Sequence, residues 1–342
     1  MSIADEQRVS ASGATTTQSA SQPGAYSPQV IRKLNALTSD FYAREAASFS
    51  ATRQAPWHGW EKAWELITAH DAVQGPFPSH VARVPDDSAG DSGAPLTILD
   101  LGCGNLRFER FLAEHTNAPL RITALDNCPD LASPAIGALS AAFPHSPSSS
   151  SAASKTKGGD ASGQGTNLPE KTTVDLRALD IVESLLDGTF ADRLPRNPHD
   201  LAVAFGLMHH LPTFALRARV LEGLLGSLRP GGFAVVSFWQ FLNDPRVAAK
   251  AATVTAEGRA THCLPTFQEN DFLLGWQHAE GVYRFCHHTP EDEIDALLAP
   301  IHNPNAPSAS SCASTASLPL REVARVTADG KQCNLKRYVV LQ

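Results

Sequence analysis

No Cys-x-x-Cys pair occurs in these 342 residues; Cys103, Cys128, Cys263, Cys286, Cys312 and Cys333 are scattered. Neither a zinc site nor a disulfide framework is therefore expected, and reduced thiols in a cytoplasmic setting are the simple expectation. Also missing is an apolar run long enough to cross a bilayer, so no membrane partner is expected. The first residues carry no basic segment followed by an apolar one, so no signal peptide is expected. Positive charge is in short supply: 28 Lys and Arg stand against 35 Asp and Glu, a net charge of −7 with a pI near 6.0. That balance gives no electrostatic advertisement for nucleic acid and counts against such a partner. The 42% hydrophobic and 18% charged shares suit a soluble globular protein, with ample length to bury a core.

Large apolar residues are also scarce in three stretches, 1–25, 144–172 and 302–317. Rich in Ser, Ala, Gly and Thr, they bury too little surface to offset the cost of ordering. They read as a disordered tail and two low-complexity insertions in a single domain spanning 26–342. That domain begins with a helical cap over 26–85, where Val30, Ile31, Leu34, Leu37 and Phe41, then Trp60, Ala63, Trp64 and Ile67, recur at helical spacing. Pro56, in the aromatic stretch between them, should start or stop a helix.

Strands and helices then alternate. Strands are expected at Leu96–Leu101, Leu120–Asp126, Thr173–Asp180, Asp200–Gly206 and Phe233–Phe238. Helices are expected over 106–115, 129–143, 182–186 and 214–228, the last ending at Arg229-Pro-Gly-Gly232. Beyond Pro245 the pattern gives a helix, a loop or short strand over 270–276, a strand over 281–288 and a helix over 290–298. Two β-like runs, 320–326 and 335–341, flank an Asp329-Gly330 turn and suggest a terminal hairpin. The fold class is α/β: a Rossmann-like, doubly wound, mostly parallel sheet with a C-terminal antiparallel hairpin and N-terminal helices.

The organising stretch is Leu96-Thr-Ile-Leu-Asp-Leu-Gly-Cys-Gly-Asn105, a buried strand that breaks at glycines and opens a helix. Glycine permits a tight turn and a close ligand approach. A dinucleotide site would want G-x-G-x-x-G, but Arg107 occupies the third glycine position, so that fingerprint is incomplete. Asp100, Asp126 and Asp180 each end a parallel strand, the edge at which open α/β sheets bind ligands. Asp126 follows the glycines by roughly 20 residues, the spacing of a ribose-holding acid. Any one of these acids could instead cap the following helix; the set on consecutive strand ends favours a ligand.

The Ile98-Leu-Asp-x-Gly-x-Gly104 turn and Leu228-Arg-Pro-Gly-Gly232 resemble class I S-adenosylmethionine-dependent methyltransferases. Further stretches resemble the subfamily of tRNA methyltransferases that esterify carboxymethyluridine at the wobble position. They are Ser48-Phe-Ser-Ala-Thr-Arg-Gln-Ala-Pro-Trp57, Met208-His-His-Leu211, Phe238-Trp239, Asp271-Phe-Leu-Leu-Gly-Trp276, Tyr283-Arg-Phe-Cys-His287 and Asn334-Leu-Lys-Arg-Tyr-Val-Val340. The likeness spans residues 40–341 apart from the insertions, with Leu106 standing where that family usually has a small residue. It implies S-adenosylmethionine as cofactor, its methionine part against the glycine loop, its ribose on Asp126 and its adenine beside Asp180 and Ile181. Asp100 is expected to order the loop. The implied cofactor-binding set is Asp100, Gly102, Cys103, Gly104, Asp126, Asn127, Asp180, Ile181, Phe205 and Gly206.

The resemblance further implies tRNA as a partner and, as in some members, a small zinc-binding activator subunit. A carboxylate acceptor is already ionised at neutral pH and needs no base, only cations or donors to orient it. Arg53, His209 and Arg284 are the candidates; an amine or hydroxyl acceptor would need a base, best supplied by His209. Of the pair His209 and His210, one is expected to pack under the sheet edge. Trp57, Trp60 and Trp64 read first as core or helix-packing residues; as a base-stacking platform, the other reading, Trp57 is the best placed. His287 and His288 either line the acceptor pocket or occupy plain strand positions. The alternatives are a small-molecule carboxyl, O- or N-methyltransferase on the same fold, and a non-catalytic partner subunit.

Overall fold

The computed structural model describes residues 26–74, 94–132, 172–277, 279–302 and 320–342. The expected tail at 1–25 and all but the edge residues of the insertions at 144–172 and 302–317 lie outside these ranges. So does the helix expected over 129–143 beyond its first four residues.

Helix α1 (Pro28–Ala51) starts where the Ser27 side chain accepts from the Val30 N–H and Pro28 supplies a preset φ. Ile31, Leu34, Thr38 and Phe41 form its buried stripe, and the helix continues ten residues past Phe41, where the periodicity alone ends. Pro56 ends the interruption, and α2 (His58–Gln74) follows.

Seven strands form one sheet: β1 (Leu96–Leu101), β2 (Leu120–Asp126), β3 (Thr173–Ala178), β4 (His199–Ala204), β5 (Leu228–Trp239), β8 (Glu322–Ala328) and β9 (Lys336–Leu341). Their order is β3-β2-β1-β4-β5-β9-β8. The first five are parallel, and β9 lies antiparallel between β5 and β8. This is the expected doubly wound sheet with its C-terminal antiparallel hairpin. Successive β1 residues point to opposite faces, so Ile98 joins Trp60, Trp64, Phe108 and Leu112 on one side. Leu99 joins Val220, Leu221, Leu224 and Leu297 on the other. Burial on both faces explains why β1 and β4 read as nearly continuous apolar runs. Helix α3 (Arg107–His115) follows β1, α4 (Ile181–Leu186) and α5 (Phe190–Arg193) follow β3, and α6 (Phe214–Gly226) connects β4 to β5.

One boundary differs from expectation. Helix α6 stops at Gly226, and Arg229–Gly232 belongs to β5 instead of closing the helix. The β4–β5 register shifts there, from His199 opposite Leu228 to Leu201 opposite Phe233, with Gly231 at φ +80° absorbing the irregularity.

Strands β6 (Asp271–Trp276) and β7 (Ala279–His287) make a separate antiparallel hairpin against α1 and α7 (Pro245–Thr261). The stretch read as loop or short strand is thus β6. Helix α8 (Glu291–His302) follows and carries Pro300 in its last turn.

A buried polar chain fixes the hairpin. His287 bonds Asp271 through Nδ1 at 2.6 Å and Glu293 through Nε2 at 2.8 Å. Asp271 also accepts from the Tyr26 hydroxyl, and Glu293 from Arg217. Burial pulls the His287 imidazolium down, but the two carboxylate bonds more than offset it, so its pKa lies above the ordinary value. A raised folded pKa gives stability that is complete below the unfolded value of about 6.5 and is lost as pH rises through the folded one. Thermal unfolding should therefore show the protein losing stability above about pH 6.5. His287→Gln should cost about 1–3 kcal/mol at pH 6 and markedly less at pH 9. An equal cost at both pH values would exclude the charged form.

Candidate functional site

The strand order reverses between β1 and β4, and the glycine turn after β1 sits at that switch point. Gly102 (φ +78°) donates to the Leu125 carbonyl at 2.8 Å, and Gly104 (φ +56°) donates to Asp126 Oδ2 at 2.9 Å. A Cβ on Gly102 would press on Leu207, whereas one on Gly104 would point into open space, where a ligand can come close. Leu106 takes the left-handed conformation (φ +55°) that a small residue reaches more easily. Its side chain is completely buried, so packing compensates the backbone strain, and the departure from the family pattern leaves the turn intact.

A cleft opens over this turn. All ten residues expected at the cofactor line it. Asp126 Oδ1 accepts from the Cys128 N–H at 2.8 Å. Burial raises the Asp126 pKa, while the N–H groups of Cys128, Gly104 and Asn127 restrain the rise. A carboxylate has lone pairs beyond those two bonds, so it can still accept from hydroxyls. Asp180 caps α4 by accepting from the Glu183 N–H at 2.9 Å, yet it also faces the cleft. Its Oδ2 receives Asn35 at 2.8 Å and Asn127 at 3.3 Å. Capping and ligand-facing positions are therefore not exclusive. Asp100 is 2% exposed, and its Oδ1 has no hydrogen-bond partner.

Helix α1 roofs the cleft with Asn35, Thr38, Ser39 and Tyr42. These residues were absent from the expected set, although their i, i+3, i+4, i+7 spacing is a polar stripe legible in the sequence. Trp57 and Trp60 line the cleft as well, while Trp64 is core.

His210, not the favoured His209, lines the cleft. Its Nδ1 donates to the Phe285 carbonyl at 2.8 Å, which leaves Nε2 to accept from the Tyr42 hydroxyl at 2.9 Å. Burial and the Arg284 charge lower the His210 pKa to about 3. His209 is 7% exposed, packs against Trp239, and is held well below the ordinary value by burial and by His210. Both rings are neutral, weak bases. His287 and His288 are buried in the hairpin's polar packing and do not line the cleft.

Beyond the aromatic wall sit cations. Arg53 lies 5.0 Å from the Phe49 ring and 5.1 Å from Trp276. Arg284 lies 4.4 Å from Phe41, is 6% exposed, and has no hydrogen-bond partner at Nε or Nη1. Among the described residues neither arginine enters an ion pair. Neither lines the cleft itself. Lys336 Nζ stands 2.8 Å from the centre of the Trp57 ring and 3.3 Å from Asp329. Burial brings its pKa down to about 7 against the pull of Asp329. No local pattern marks Lys336 in the sequence; β9 carries it there. Acids thus surround the glycine turn, and cations stand behind Phe49, Trp57 and Trp276.

His209, His210 and Cys286 also bring their donor atoms within 4.8 Å of one another. Both nitrogens of His210 already have partners, and burial pushes the Cys286 thiol up to about 11. Metal ligation would require displacing those bonds and deprotonating the thiol beside Arg284.

No family model and no curated protein matches the chain. Among solved structures it is similar to a SAM-dependent methyltransferase from Methanosarcina mazei, at 17% identity over 73% of this chain and 93% of that one, with a TM-score of 0.43. It is also similar to a DhpI–SAM–HEP complex, at 14% identity over 93% and 100% of the two chains, with a TM-score of 0.46. A third is the N-methyltransferase NodS from Bradyrhizobium japonicum WM9 in complex with S-adenosyl-L-homocysteine, at 14% identity over 92% and 96%, with a TM-score of 0.40. At TM-scores below 0.5, the reading of the site stands on this chain's own side chains.

Proposed function

We propose that the chain is an S-adenosylmethionine-dependent methyltransferase whose acceptor carries an anionic group. The carrying observation is the ring of Asp100, Asp126 and Asp180 on consecutive strand ends around an open glycine turn, all lining one cleft at the sheet's switch point. The residues fit the cofactor. Asp126 has lone pairs left for the ribose hydroxyls, the Gly104 position leaves room for close approach, and Asp180, Ile181 and Val182 offer an edge and an apolar wall for the base. When bound, the cofactor supplies an electrophilic methyl on a sulfonium.

The chain's own contribution is positioning and exclusion of water. Neutral, weakly basic His209 and His210 are poor general bases at neutral pH, which favours an acceptor that needs none. Half-buried Arg53 and buried Arg284, neither with an acid partner among the described residues, are suited to orient a carboxylate. Together with the motifs around Arg53, His209 and Arg284, this supports the carboxymethyl group of a modified tRNA uridine as acceptor. The net charge of −7 favours a second reading, a small-molecule carboxylate.

Mass spectrometry of tRNA nucleosides from cells lacking the protein separates the two. Accumulation of unmethylated carboxymethyluridine is the expected result. An unchanged nucleoside profile, with S-adenosylhomocysteine binding retained by the protein, would transfer the assignment to the small molecule.

A further inference from the structure

Beneath the glycine turn the chain buries a carboxyl that the cofactor residues above do not include. Glu109, in the first turn of α3, is 1% exposed, and neither of its oxygens has a hydrogen-bond partner beyond its own backbone N–H and the Asp100 carboxyl. Asp100, at the end of β1, faces it and turns an equally unpartnered Oδ1 into the same site while lining the cleft. A third acid, Asp126 on β2, adds its charge to both. The groups that could balance them are few. Arg110 on α3 acts on Glu109 from one side, and the α3 N-terminus favours its ionised form. Cys103, in the turn, is a buried thiol pushed further towards its neutral form by the same three carboxyls.

Two carboxylates in contact, with no described cation bonded to either, cannot both stay ionised in a buried site. With one proton between them, one carboxyl donates to the other, which gives Asp100 Oδ1 and one Glu109 oxygen a partner. Burial raises the affinity of both for that proton; the Glu109 charge raises that of Asp100 further, whereas the hydrogen bond from Asp100 restrains the rise of Glu109.

We propose that Glu109 is a positioning residue for the methyl donor. With Asp100 it forms a carboxyl pair that holds one proton in the ligand-free protein and releases it when the ligand's positive charge arrives. The inference rests on the donor reading above. An S-adenosylmethionine molecule brings two cationic groups, a sulfonium and an ammonium. Either can replace the proton as the charge facing Asp100. One O–H bond breaks, the proton goes to solvent, and no other bond changes. Glu109 does not touch the ligand; it sets the pH at which Asp100 becomes a full anion. Cofactor capture is thereby linked to pH through a residue one helical turn beyond the glycines.

The test is a calorimetric titration of the full chain from about pH 5.5 to about pH 8.5, in buffers of different ionisation enthalpy so that released protons are counted. Three ligands separate the charges: S-adenosylmethionine with both, S-adenosylhomocysteine with the ammonium only, and methylthioadenosine with neither. For a charged ligand the wild-type protein should release one proton, and Kd should fall by about tenfold per pH unit below the pair's pKa. Methylthioadenosine should bind with no slope. Release with S-adenosylmethionine alone assigns the effect to the sulfonium; release with both assigns it to the ammonium. In Glu109→Gln the amide can donate to Asp100, so the slope should vanish and affinity should stay at the wild-type high-pH value throughout.

Binding of the charged ligands without proton release overturns the proposal and leaves the donor reading standing, as does an unchanged slope in Glu109→Gln. Failure of all three ligands to bind at any pH overturns both. Should the variant not fold, the proton count on wild-type protein still decides.

Discussion

Asp126→Ala is expected to bind S-adenosylhomocysteine about 100-fold more weakly than wild type, because two charge-assisted bonds to hydroxyls at about 1.5 kcal/mol each would be lost. The same change orphans the Gly104 and Cys128 N–H groups, which Asp126 accepts at 2.9 and 2.8 Å. The glycine turn should therefore loosen as well, with a fall in Tm of the free protein. Asp126→Asn divides the two effects. An amide oxygen can keep one of the backbone bonds, so Tm should recover in part, while the lost charge keeps binding weak. Calorimetric titration and thermal unfolding read both quantities. An Asp126→Ala protein whose affinity stays within about threefold of wild type would remove Asp126 from the cofactor site, since that is under 1 kcal/mol.

Arg284→Met should split activity from stability. The guanidinium is buried among Phe41, Phe49, Trp239 and Trp276 with two nitrogens unpartnered. The rings return part of the desolvation cost through cation–π attraction, but among the described residues no acid pairs with the charge. An apolar side chain of similar length should leave the protein as stable or about 1 kcal/mol more stable. An anionic acceptor would lose its buried partner, a loss of about 2–5 kcal/mol, or at least about 30-fold in kcat/KM. Affinity for S-adenosylhomocysteine should be unchanged, because Arg284 does not line the cofactor cleft. Arg284→Lys should not restore turnover, since an ammonium lacks the planar fork that grips a carboxylate. The readout is methyl ester restored to cells lacking the protein, alongside Tm. Full activity in Arg284→Met would exclude an anion at this position. A large loss of stability would make the arginine a structural residue.

The donor side of the site was legible because it is local. A parallel strand buried on both faces must be an apolar run, its end must turn, and ligand-facing acids and glycines sit at that turn. Asp100, Gly102, Gly104, Asp126 and Asp180 therefore announce themselves within a few residues of their strands. Leu106 shows the limit of such patterns. A departure from the usual small residue left the turn's shape unchanged, because complete burial of the side chain holds a strained φ in place. Asp180 shows another: in the sequence a helix cap and a cleft-facing edge read as alternatives, and one side chain serves both positions.

The cation side was only partly legible. Arg53, Arg284 and Lys336 come from the α1–α2 connection, β7 and β9, and no short-range pattern says that these meet. Which of His209 and His210 faces the cleft was decided by the Tyr42 hydroxyl and the Phe285 carbonyl, both far away in sequence. The sequence by itself determined the alternating strands and helices, the doubly wound sheet and the ring of donor-side acids, since periodicity, strand-end chemistry and turn chemistry act within a few residues. Only the tertiary structure decided which histidine lines the cleft, which cations stand unpaired behind the aromatic wall, and that Glu109 lies against Asp100. Burial and charge pairing are set by packing between distant segments, and no local pattern encodes them.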